Sequence, residues 1–267
     1  MATGTADRVT IDEAVFFGTG GGRDLACDVF TPPGGADNAP GVLIIHGGGW
    51  REGDRSQLRG YGLRLARAGY VCVASEYRLT PESPWPAQIH DVKTALRWMR
   101  ANATDLGLNP DRIAVEGNSA GAHLALLIAG TAGVAEFEGE GGNPGVSTDV
   151  SVAIGIYGPT DFITSGGGRV LVADQGEDVA RAASPITYID GEFPPTLLIH
   201  GNADETVAPE QSELMYRALL CAGVATELHM YAGQPHAFDA EPVFARQCAD
   251  LMRLFLDRYI AAPVAAG

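Results

Sequence analysis

Short apolar runs recur along the chain, and a helical pattern of apolar residues follows most of them. The runs predict strands over 41–46, 71–75, 113–116, 150–157, 196–200 and 226–231. Three- and four-residue spacings predict helices over 55–68, 86–101, 120–129, 211–222 and 242–259. A strand that is apolar at every position is buried on both faces, so the fold class is α/β, with a mostly parallel central sheet and helices on both faces.

The beginning of the chain follows a different pattern. Segments 9–17 and 25–30 alternate between apolar and polar residues, and a glycine-rich stretch over 18–22 joins them. This pattern predicts an antiparallel N-terminal hairpin at the edge of the sheet. Because nothing before residue 41 carries a helical apolar stripe, no N-terminal cap domain is expected.

Two later segments lack a clear period. Residues 133–145 and 158–192 are rich in glycine and acidic side chains, so they are expected to form loops and short helices over the sheet. The chain, 1–267, is therefore expected to be a single domain with a small loop-rich, lid-like insert at about 158–192.

The charge balance restricts the partners. The chain has 18 lysine and arginine residues against 33 aspartate and glutamate residues, which gives a formal net charge of −15. Nucleic acids and anionic membranes bind basic surfaces, so neither is expected as a partner.

No run reaches the roughly 18 apolar residues of a membrane span, and the first residues lack the features of a secretion signal. A cytoplasmic location is expected, with the oligomeric state open and a homodimer as one candidate.

The cysteines predict neither a metal site nor a disulfide framework. Cys27, Cys72, Cys221 and Cys248 form no CxxC pair and have no Cys/His metal spacing. Each lies among apolar residues, which favours reduced thiols in the core. No metal and no cofactor are therefore expected.

A serine between two glycines marks the change from a strand pattern to a helix pattern. The stretch VEGNSAG places Ser119 between Gly117 and Gly121. Gly-x-Ser-x-Gly at such a boundary is typical of a nucleophile elbow, in which a tight turn raises the serine hydroxyl above the sheet at a helix N-terminus. An ordinary glycine-rich turn is the alternative. We predict that Ser119 is a nucleophile.

A second glycine-rich motif, HGGGW, follows the strand predicted over 41–46. Its Gly47 and Gly48 can bring backbone N–H groups close to a ligand because no side chain intervenes. Such donors stabilise the negative charge that develops on a carbonyl oxygen during acyl transfer. Together with the N–H of Ala120, these two are predicted to form an oxyanion hole, and Gly49 is a weaker candidate.

A serine hydroxyl needs a base, and the base needs an acid that orients it. Asp204 follows the strand predicted over 196–200, and His236 follows the last predicted strand. Both lie at the carboxyl edge of the predicted sheet, so we predict Asp204 as the acid and His236 as the base. Glu205 and Asp239 are weaker candidates for the acid. The other five histidines are expected to be structural.

These motifs occur in the order that a known family has. They are HGGGW, SEYRLTPESPWPAQIHDVKTALRWM, NPDRIAVEGNSAGAHLA, IYGPTDF, LLIHGNADETV and GQPHAF. The chain resembles the α/β-hydrolases of the hormone-sensitive-lipase-like kind, and among these the short bacterial carboxylesterase, feruloyl-esterase-like branch. The resemblance covers about residues 41–259 and implies an α/β-hydrolase fold with Ser119, Asp204 and His236 as the catalytic triad. One departure is Asn118, where the family often has Asp, Glu or His, and it bears on the pocket wall.

The predicted function is hydrolysis of short-chain carboxylic esters through an acyl-enzyme intermediate, with a small-molecule ester as the partner. Trp50, Asn118 and Tyr157 are candidates for the substrate-pocket wall. Two alternatives stay open. One is an amidase of the same fold, similar to the arylformamidases that open N-formylkynurenine. The other is a non-catalytic α/β-hydrolase that binds a ligand or a partner.

Overall fold

The computed structural model describes residues 8–165, 169–172 and 175–261. The strands in these ranges form one eight-stranded sheet. In chain order they are β1 Thr10–Gly20, β2 Arg23–Thr31, β3 Ala39–Ile45, β4 Val71–Ser75, β5 Leu108–Asn118, β6 Val152–Ile156, β7 Thr196–Gly201 and β8 Thr226–Tyr231. Neighbouring strands from β3 to β8 are parallel, whereas β1 and β2 pair antiparallel at one edge. The predicted parallel sheet with an antiparallel N-terminal hairpin is confirmed.

The strand order creates a reversal in the middle of the sheet. The order is β1-β2-β4-β3-β5-β6-β7-β8, so the chain goes from β3 to β4 on one side and returns to the other side of β3 with β5. In open α/β sheets, ligands bind at such a reversal, outside the carboxyl ends of the strands. The HGGGW motif follows β3 and the serine motif follows β5, so both lie at this position.

Helices cover both faces of the sheet. They are α1 Arg59–Arg67, α2 Ala87–Ala101, α3 Ala103–Leu106, α4 Ala120–Gly130, α5 Ala135–Glu138, α6 Phe162–Ser165, α7 Arg169–Val172, α8 Glu177–Ala182, α9 Glu210–Cys221 and α10 Pro242–Tyr259, with 3₁₀ helices at Pro185–Tyr188 and Phe238–Ala240. One apolar core contains residues of α2, α4 and α9, and the other contains residues of α1 and α10. Successive residues of β3, such as Leu43 and Ile44, enter opposite cores because side chains alternate along a strand.

The hairpin turn is shorter than the sequence predicts. A loop is expected over 18–22, but β1 continues to Gly20, and only Gly21 and Gly22 separate it from β2. These two glycines have φ angles of 58° and 81°. Two consecutive positive φ angles give a two-residue turn whose twist matches that of the paired strands, so the remaining glycines are free to extend the strand.

The first long helix begins later than predicted. The apolar spacing predicts a helix over 55–68, whereas α1 begins at Arg59. Residues 55–58 form turns instead, in which the backbone N–H of Gln57 donates to Asp54 O and that of Arg59 donates to Ser56 O, both at 3.1 Å. Hydrogen bonds between residues three apart belong to turns, whereas those of an α-helix join residues four apart.

The segment expected as a lid-like insert, about 158–192, contains α6, α7, α8 and the first 3₁₀ helix. Residues 166–168 and 173–174 lie outside the described residues. Leu171 and Val172 of α7 are buried in the core, while Val170 is 45% exposed. In the ranges that the structure describes, no helix combines the length and the apolar character needed to cross a membrane.

A carboxyl group lies deep in the sheet, three residues before the serine of the elbow. Glu116 of β5 is fully buried, and neither of its carboxyl oxygens has a hydrogen-bond partner among the described residues. Burial, with a smaller contribution from the charge of Asp239, raises the pKa of Glu116 to about 8. The side chain is therefore protonated at neutral pH, which is how an unpaired carboxyl group can occupy an apolar layer.

Glu116→Gln is expected to change how stability depends on pH. In the unfolded chain a glutamate ionises near its ordinary pKa of about 4.3, so folding becomes less favourable as pH rises from that value to about 8. The penalty grows by about 1.4 kcal/mol per pH unit over this interval. Glutamine has nearly the same shape and cannot ionise, so the variant gains relative stability between about pH 5 and pH 8.

Urea unfolding at those two pH values measures the effect, with Glu82→Gln as the control because Glu82 is exposed. A stability difference between Glu116→Gln and the unsubstituted protein that is equal at both pH values would contradict the raised pKa.

Candidate active site

The serine lies on a sharp turn between β5 and α4. Ser119 has φ 52° and ψ −118°, and its backbone N–H donates to Ile156 O at 2.8 Å. A Cβ atom on Gly121 would lie 2.0 Å from Ile45 O, and one on Gly117 would lie 2.4 Å from the carbonyl carbon of Gly121. Because no real side chain tolerates such distances, both flanking glycines are required by the close approach of helix and strand.

Three side chains from three separate loops form a line of hydrogen bonds. Ser119 Oγ lies 2.9 Å from His236 Nε2, and His236 Nδ1 lies 2.7 Å from Asp204 Oδ2. A carboxylate only accepts, so Nδ1 carries the proton and Nε2 is left to accept from the serine hydroxyl. The structure thus brings together the three residues that the sequence predicts as nucleophile, base and acid.

The carboxylate of this line is fixed in place. The Asp204 side chain is fully buried, and its Oδ1 accepts from the backbone N–H groups of Thr206 at 2.8 Å and Val207 at 2.9 Å. Its other oxygen faces His236, whose side chain is 19% exposed. The buried Asp204 carboxylate therefore binds Nδ1 of the imidazole from the interior of the protein. The opposite ring nitrogen, Nε2, contacts the serine hydroxyl.

The two weaker acid candidates lie elsewhere. Glu205 is exposed on the wall of the adjacent cavity. Asp239 accepts hydrogen bonds from the hydroxyl groups of Tyr61, at 2.6 Å, and Tyr157. The carboxylate of Asp239 is thus engaged by tyrosines, whereas that of Asp204 contacts His236.

The buried histidines have backbone partners. His46 Nδ1 lies 2.7 Å from Gly47 O, His123 Nε2 lies 2.7 Å from Ala183 O, and His200 Nε2 lies 3.0 Å from Val207 O. Burial lowers the pKa of all three, and that of His123 to about 4. These imidazoles are neutral hydrogen-bonding groups of the interior.

The loop that contains Gly47 and Gly48 lies beside the serine. Gly48 has φ 103°, and a Cβ atom there would lie 2.1 Å from Glu52 O. A Cβ atom on Gly47 would lie 3.4 Å from the Cβ atom of Ser119, so this loop passes directly alongside the serine. Within the described ranges, no acceptor is bound by the N–H groups of Gly47, Gly48 or Ala120, the three predicted oxyanion donors.

A cavity of about 1310 Å³ opens in front of these groups. The three predicted pocket residues, Trp50, Asn118 and Tyr157, are among those that line it. Its outer wall combines apolar and charged side chains, namely Val170, Val207, Leu214, Arg51, Glu52, Glu205 and Glu210. A volume above roughly 1,000 Å³ exceeds that of most small-ligand pockets, so the cavity can hold a sizeable organic molecule.

Backbone strain is concentrated at this cavity. In the part of the chain that the structure describes, seven residues other than glycine have positive φ. Four of them line the cavity, and they are Trp50, Ser119, Tyr157 and Ala237. Such conformations cost roughly 1–3 kcal/mol each and cluster at functional sites. Their distribution makes this cavity the candidate functional site.

Trp50 is held by a neighbour that the sequence did not reveal. Its indole N–H donates to His123 Nδ1 at 3.3 Å, and its ring packs edge-on against Phe162 of α6. His123 is on α4, four residues after the serine, so the helix that begins at the elbow also fixes the tryptophan. A histidine inside an apolar helix was the available signal, but its partner is 73 residues away.

Metal ligands are not grouped in the described ranges, where no cluster of three or more histidine, cysteine, aspartate or glutamate side chains could hold an ion.

Comparisons with known proteins give the family to which the chain belongs. The sequence matches the model of the BD-FAE family over residues 27–219. The chain belongs to the BD-FAE family. Its relatives include esterase LipQ of Mycobacterium tuberculosis, which is 36% identical over 88% of this chain and 60% of its own length. Esterase LipC of the same organism is 35% identical over 75% of this chain and 53% of its own length. The chain thus spans little more than half the length of these relatives.

Solved structures resemble the whole BD-FAE chain. Thermogutta terrifontis esterase 2 phosphoramylated by tabun has a TM-score of 0.83 at 26% identity and covers 99% of this chain and 100% of its own. The same esterase with propionate bound has a TM-score of 0.80 at 28% identity, with 97% of each chain covered. The fold is that of the α/β-hydrolases, and the resemblance to their hormone-sensitive-lipase-like esterases is confirmed.

Gly121→Ala is expected to destabilise the fold by more than about 3 kcal/mol, because its Cβ atom would overlap Ile45 O and force β3 and α4 apart. Gly60→Ala is the matched control. Gly60 lies in α1 with no atom within 4 Å of an added Cβ atom, so alanine there raises stability by up to about 1 kcal/mol. Thermal unfolding compares the two. Equal melting temperatures for both variants would show that the elbow is not closely packed.

Proposed function

We propose that this BD-FAE chain is a serine hydrolase that cleaves small carboxylic esters through an acyl-enzyme intermediate. The observation that carries the proposal is the hydrogen-bonded line from Ser119 through His236 to Asp204, which opens onto a cavity beside three N–H groups without acceptors. Ser119 is assigned as the nucleophile, His236 as the general base and Asp204 as the acid that orients it.

The reaction proceeds in two halves. Ser119 Oγ attacks the acyl carbon while His236 Nε2 takes the hydroxyl proton, and the developing oxyanion accepts hydrogen bonds from the N–H groups of Gly47, Gly48 and Ala120. Collapse of the tetrahedral intermediate expels the alcohol, which receives the proton from His236. Water, deprotonated by the same imidazole, then attacks the acyl carbon. The second tetrahedral intermediate expels Ser119 Oγ, which takes the proton back from His236, and the acid is released.

The names of the relatives support an ester as the substrate. LipQ and LipC are named esterases, and Thermogutta terrifontis esterase 2 has been seen phosphoramylated by tabun and with propionate bound. Transfer of that activity to this chain is part of the proposal, as are the small-molecule ester as partner and the cytoplasmic location. Nucleic acid stays an unexpected partner because of the net charge of −15.

Ser119→Ala is expected to lower kcat for p-nitrophenyl acetate by about 10⁶, because the remaining members of a triad do not act without the nucleophile. Asp204→Asn is expected to lower kcat by about 10⁴, because an amide no longer fixes the imidazole tautomer. Glu205→Gln is the matched control, since Glu205 is adjacent but does not contact the imidazole. Circular dichroism confirms folding of each variant. A larger loss in Glu205→Gln than in Asp204→Asn would contradict the assignment of the acid.

The cavity wall favours short acyl chains. Val170, Val207 and Leu214 line the cavity together with four charged residues, namely Arg51, Glu52, Glu205 and Glu210. Val170 and Leu214 are 45% and 38% exposed, so the described residues leave both side chains partly uncovered. A longer chain gains about 0.8 kcal/mol per methylene only where it is buried. Apolar side chains that stay partly exposed and share the lining with four charged groups offer limited burial to a long acyl chain.

Esters with acyl groups of about two to four carbons are therefore expected to have the highest kcat/KM, with a decline toward ten carbons. A series of p-nitrophenyl esters, each below its micelle concentration, measures this dependence. A steady increase through eight to twelve carbons would mean that an apolar groove receives the chain and would contradict the proposed size preference.

A further inference from the structure

A buried chain of polar side chains lies behind the imidazole. Tyr61 of α1 donates to Asp239 Oδ2 at 2.6 Å, and the Tyr157 hydroxyl donates to Asp239 Oδ1. The Tyr157 oxygen in turn accepts from Asn118 Nδ2 at 2.9 Å. Tyr61, Tyr157 and Asn118 are each less than 9% exposed. We call these four residues the tyrosine network.

The tyrosine network joins the segments that carry the reacting groups. Asn118 is the residue before the serine nucleophile, and Asp239 is three residues after His236, in the 3₁₀ helix Phe238–Ala240. Tyr157 follows β6, the strand whose last carbonyl accepts from the Ser119 N–H. The network therefore fixes the histidine loop, the elbow and the end of β6 relative to one another.

Tyr157 also contacts the imidazole directly. Its ring meets the ring of His236 edge-on, with centroids 4.7 Å apart and an interplanar angle of 62°. The Asp204 contact at Nδ1 leaves the imidazole able to swing about that point, and an aromatic ring against its side limits the swing. Tyr157 has φ 43°, a strained conformation that its neighbours must maintain.

We propose that Asp239 is a positioning residue of the active site. Acting through Tyr157, it holds the imidazole of His236 within reach of Ser119 Oγ and keeps Asn118, and with it the elbow, in place. The proposal rests on the proposed function, because it assigns a purpose to the position of the base.

The carboxylate suits this task better than a neutral group. Two hydroxyl donors to an ionised acceptor make charge-assisted hydrogen bonds, which are stronger and shorter than neutral ones. Burial and the nearby Asp239 charge raise the pKa of both Tyr61 and Tyr157, so each tyrosine keeps its proton and stays a donor. The bond from the Tyr157 hydroxyl to the Asp239 carboxylate therefore helps to maintain the strained backbone of Tyr157. A neutral acceptor would form a weaker bond.

The test measures two rates for Asp239→Asn and Tyr157→Phe, namely the labelling of Ser119 by a fluorophosphonate and the hydrolysis of p-nitrophenyl acetate. Each variant is expected to reduce the labelling rate and kcat about tenfold, with KM changed by less than about twofold, because the base is misplaced while the cavity is intact. Tyr157→Phe keeps the aromatic ring and removes only the hydroxyl group. It therefore still measures the effect of the hydrogen bond to Asp239 if Asp239→Asn folds poorly.

The double variant separates positioning from general stability. If Asp239 acts through Tyr157, combining the two changes reduces the rates about as much as either change alone, since contacting residues are not additive. A loss in the double variant equal to the product of the single losses would overturn the proposal. Rates of the single variants within about twofold of the unsubstituted protein would overturn it as well.

Tyr70→Phe is the matched control. The Tyr70 hydroxyl donates to Asp257 Oδ1 at 2.6 Å, which is the same type of contact, but it links the start of β4 to α10 away from the cavity. The labelling rate of Tyr70→Phe is expected to stay within about twofold of that of the unsubstituted protein. A tenfold loss in this control would mean that the losses in the network variants come from reduced stability, and it would overturn the proposal. Labelling without ester hydrolysis in the unsubstituted protein would reject only the proposed substrate, whereas failure of both would overturn both proposals.

Discussion

The close approach of α4 to β5 and to the neighbouring strand β3 is the constraint on which the site depends. Only glycine fits at Gly117 and Gly121, where an added Cβ atom would lie 2.0 to 2.4 Å from backbone atoms. This contact forces Ser119 into a φ of 52° and ends the strand where the helix begins. The hydroxyl consequently stands at the helix N-terminus, where the dipole and the N–H groups favour negative charge.

Three of the four strained residues around the cavity are each held by a specific neighbour. Ser119 is held by its N–H bond to Ile156 O, Trp50 by the imidazole of His123, and Tyr157 by the Asp239 carboxylate. Conformations that cost roughly 1–3 kcal/mol each persist only where the surroundings fix them. Here the surroundings are two apolar cores, one on each face of the sheet, so the rigidity of the whole domain supports the geometry of the cavity.

Continuous apolar runs and helical spacing predicted most of the fold, because buried strands and amphipathic helices leave a direct trace in the sequence. Strand β4 over Val71–Ser75 and helix α10 over Pro242–Tyr259 have the predicted limits. Apolar spacing does not show that residues 55–58 form turns, so it does not predict the late start of α1. Tyr157 and Asp239 are 82 residues apart in the sequence, and no local sequence pattern predicts their contact. Motifs therefore indicate which residues could react, whereas the contacts that orient them emerge only from the folded chain.

The central claim is that Ser119 becomes covalently acylated during turnover. Rapid mixing with p-nitrophenyl acetate, acid quenching and peptide mass spectrometry measure this directly. The account predicts a single acetyl group on the peptide that contains Ser119, formed together with one p-nitrophenol per acetyl group. Product formation without any acetylated peptide, or acetylation at a different residue, would contradict it.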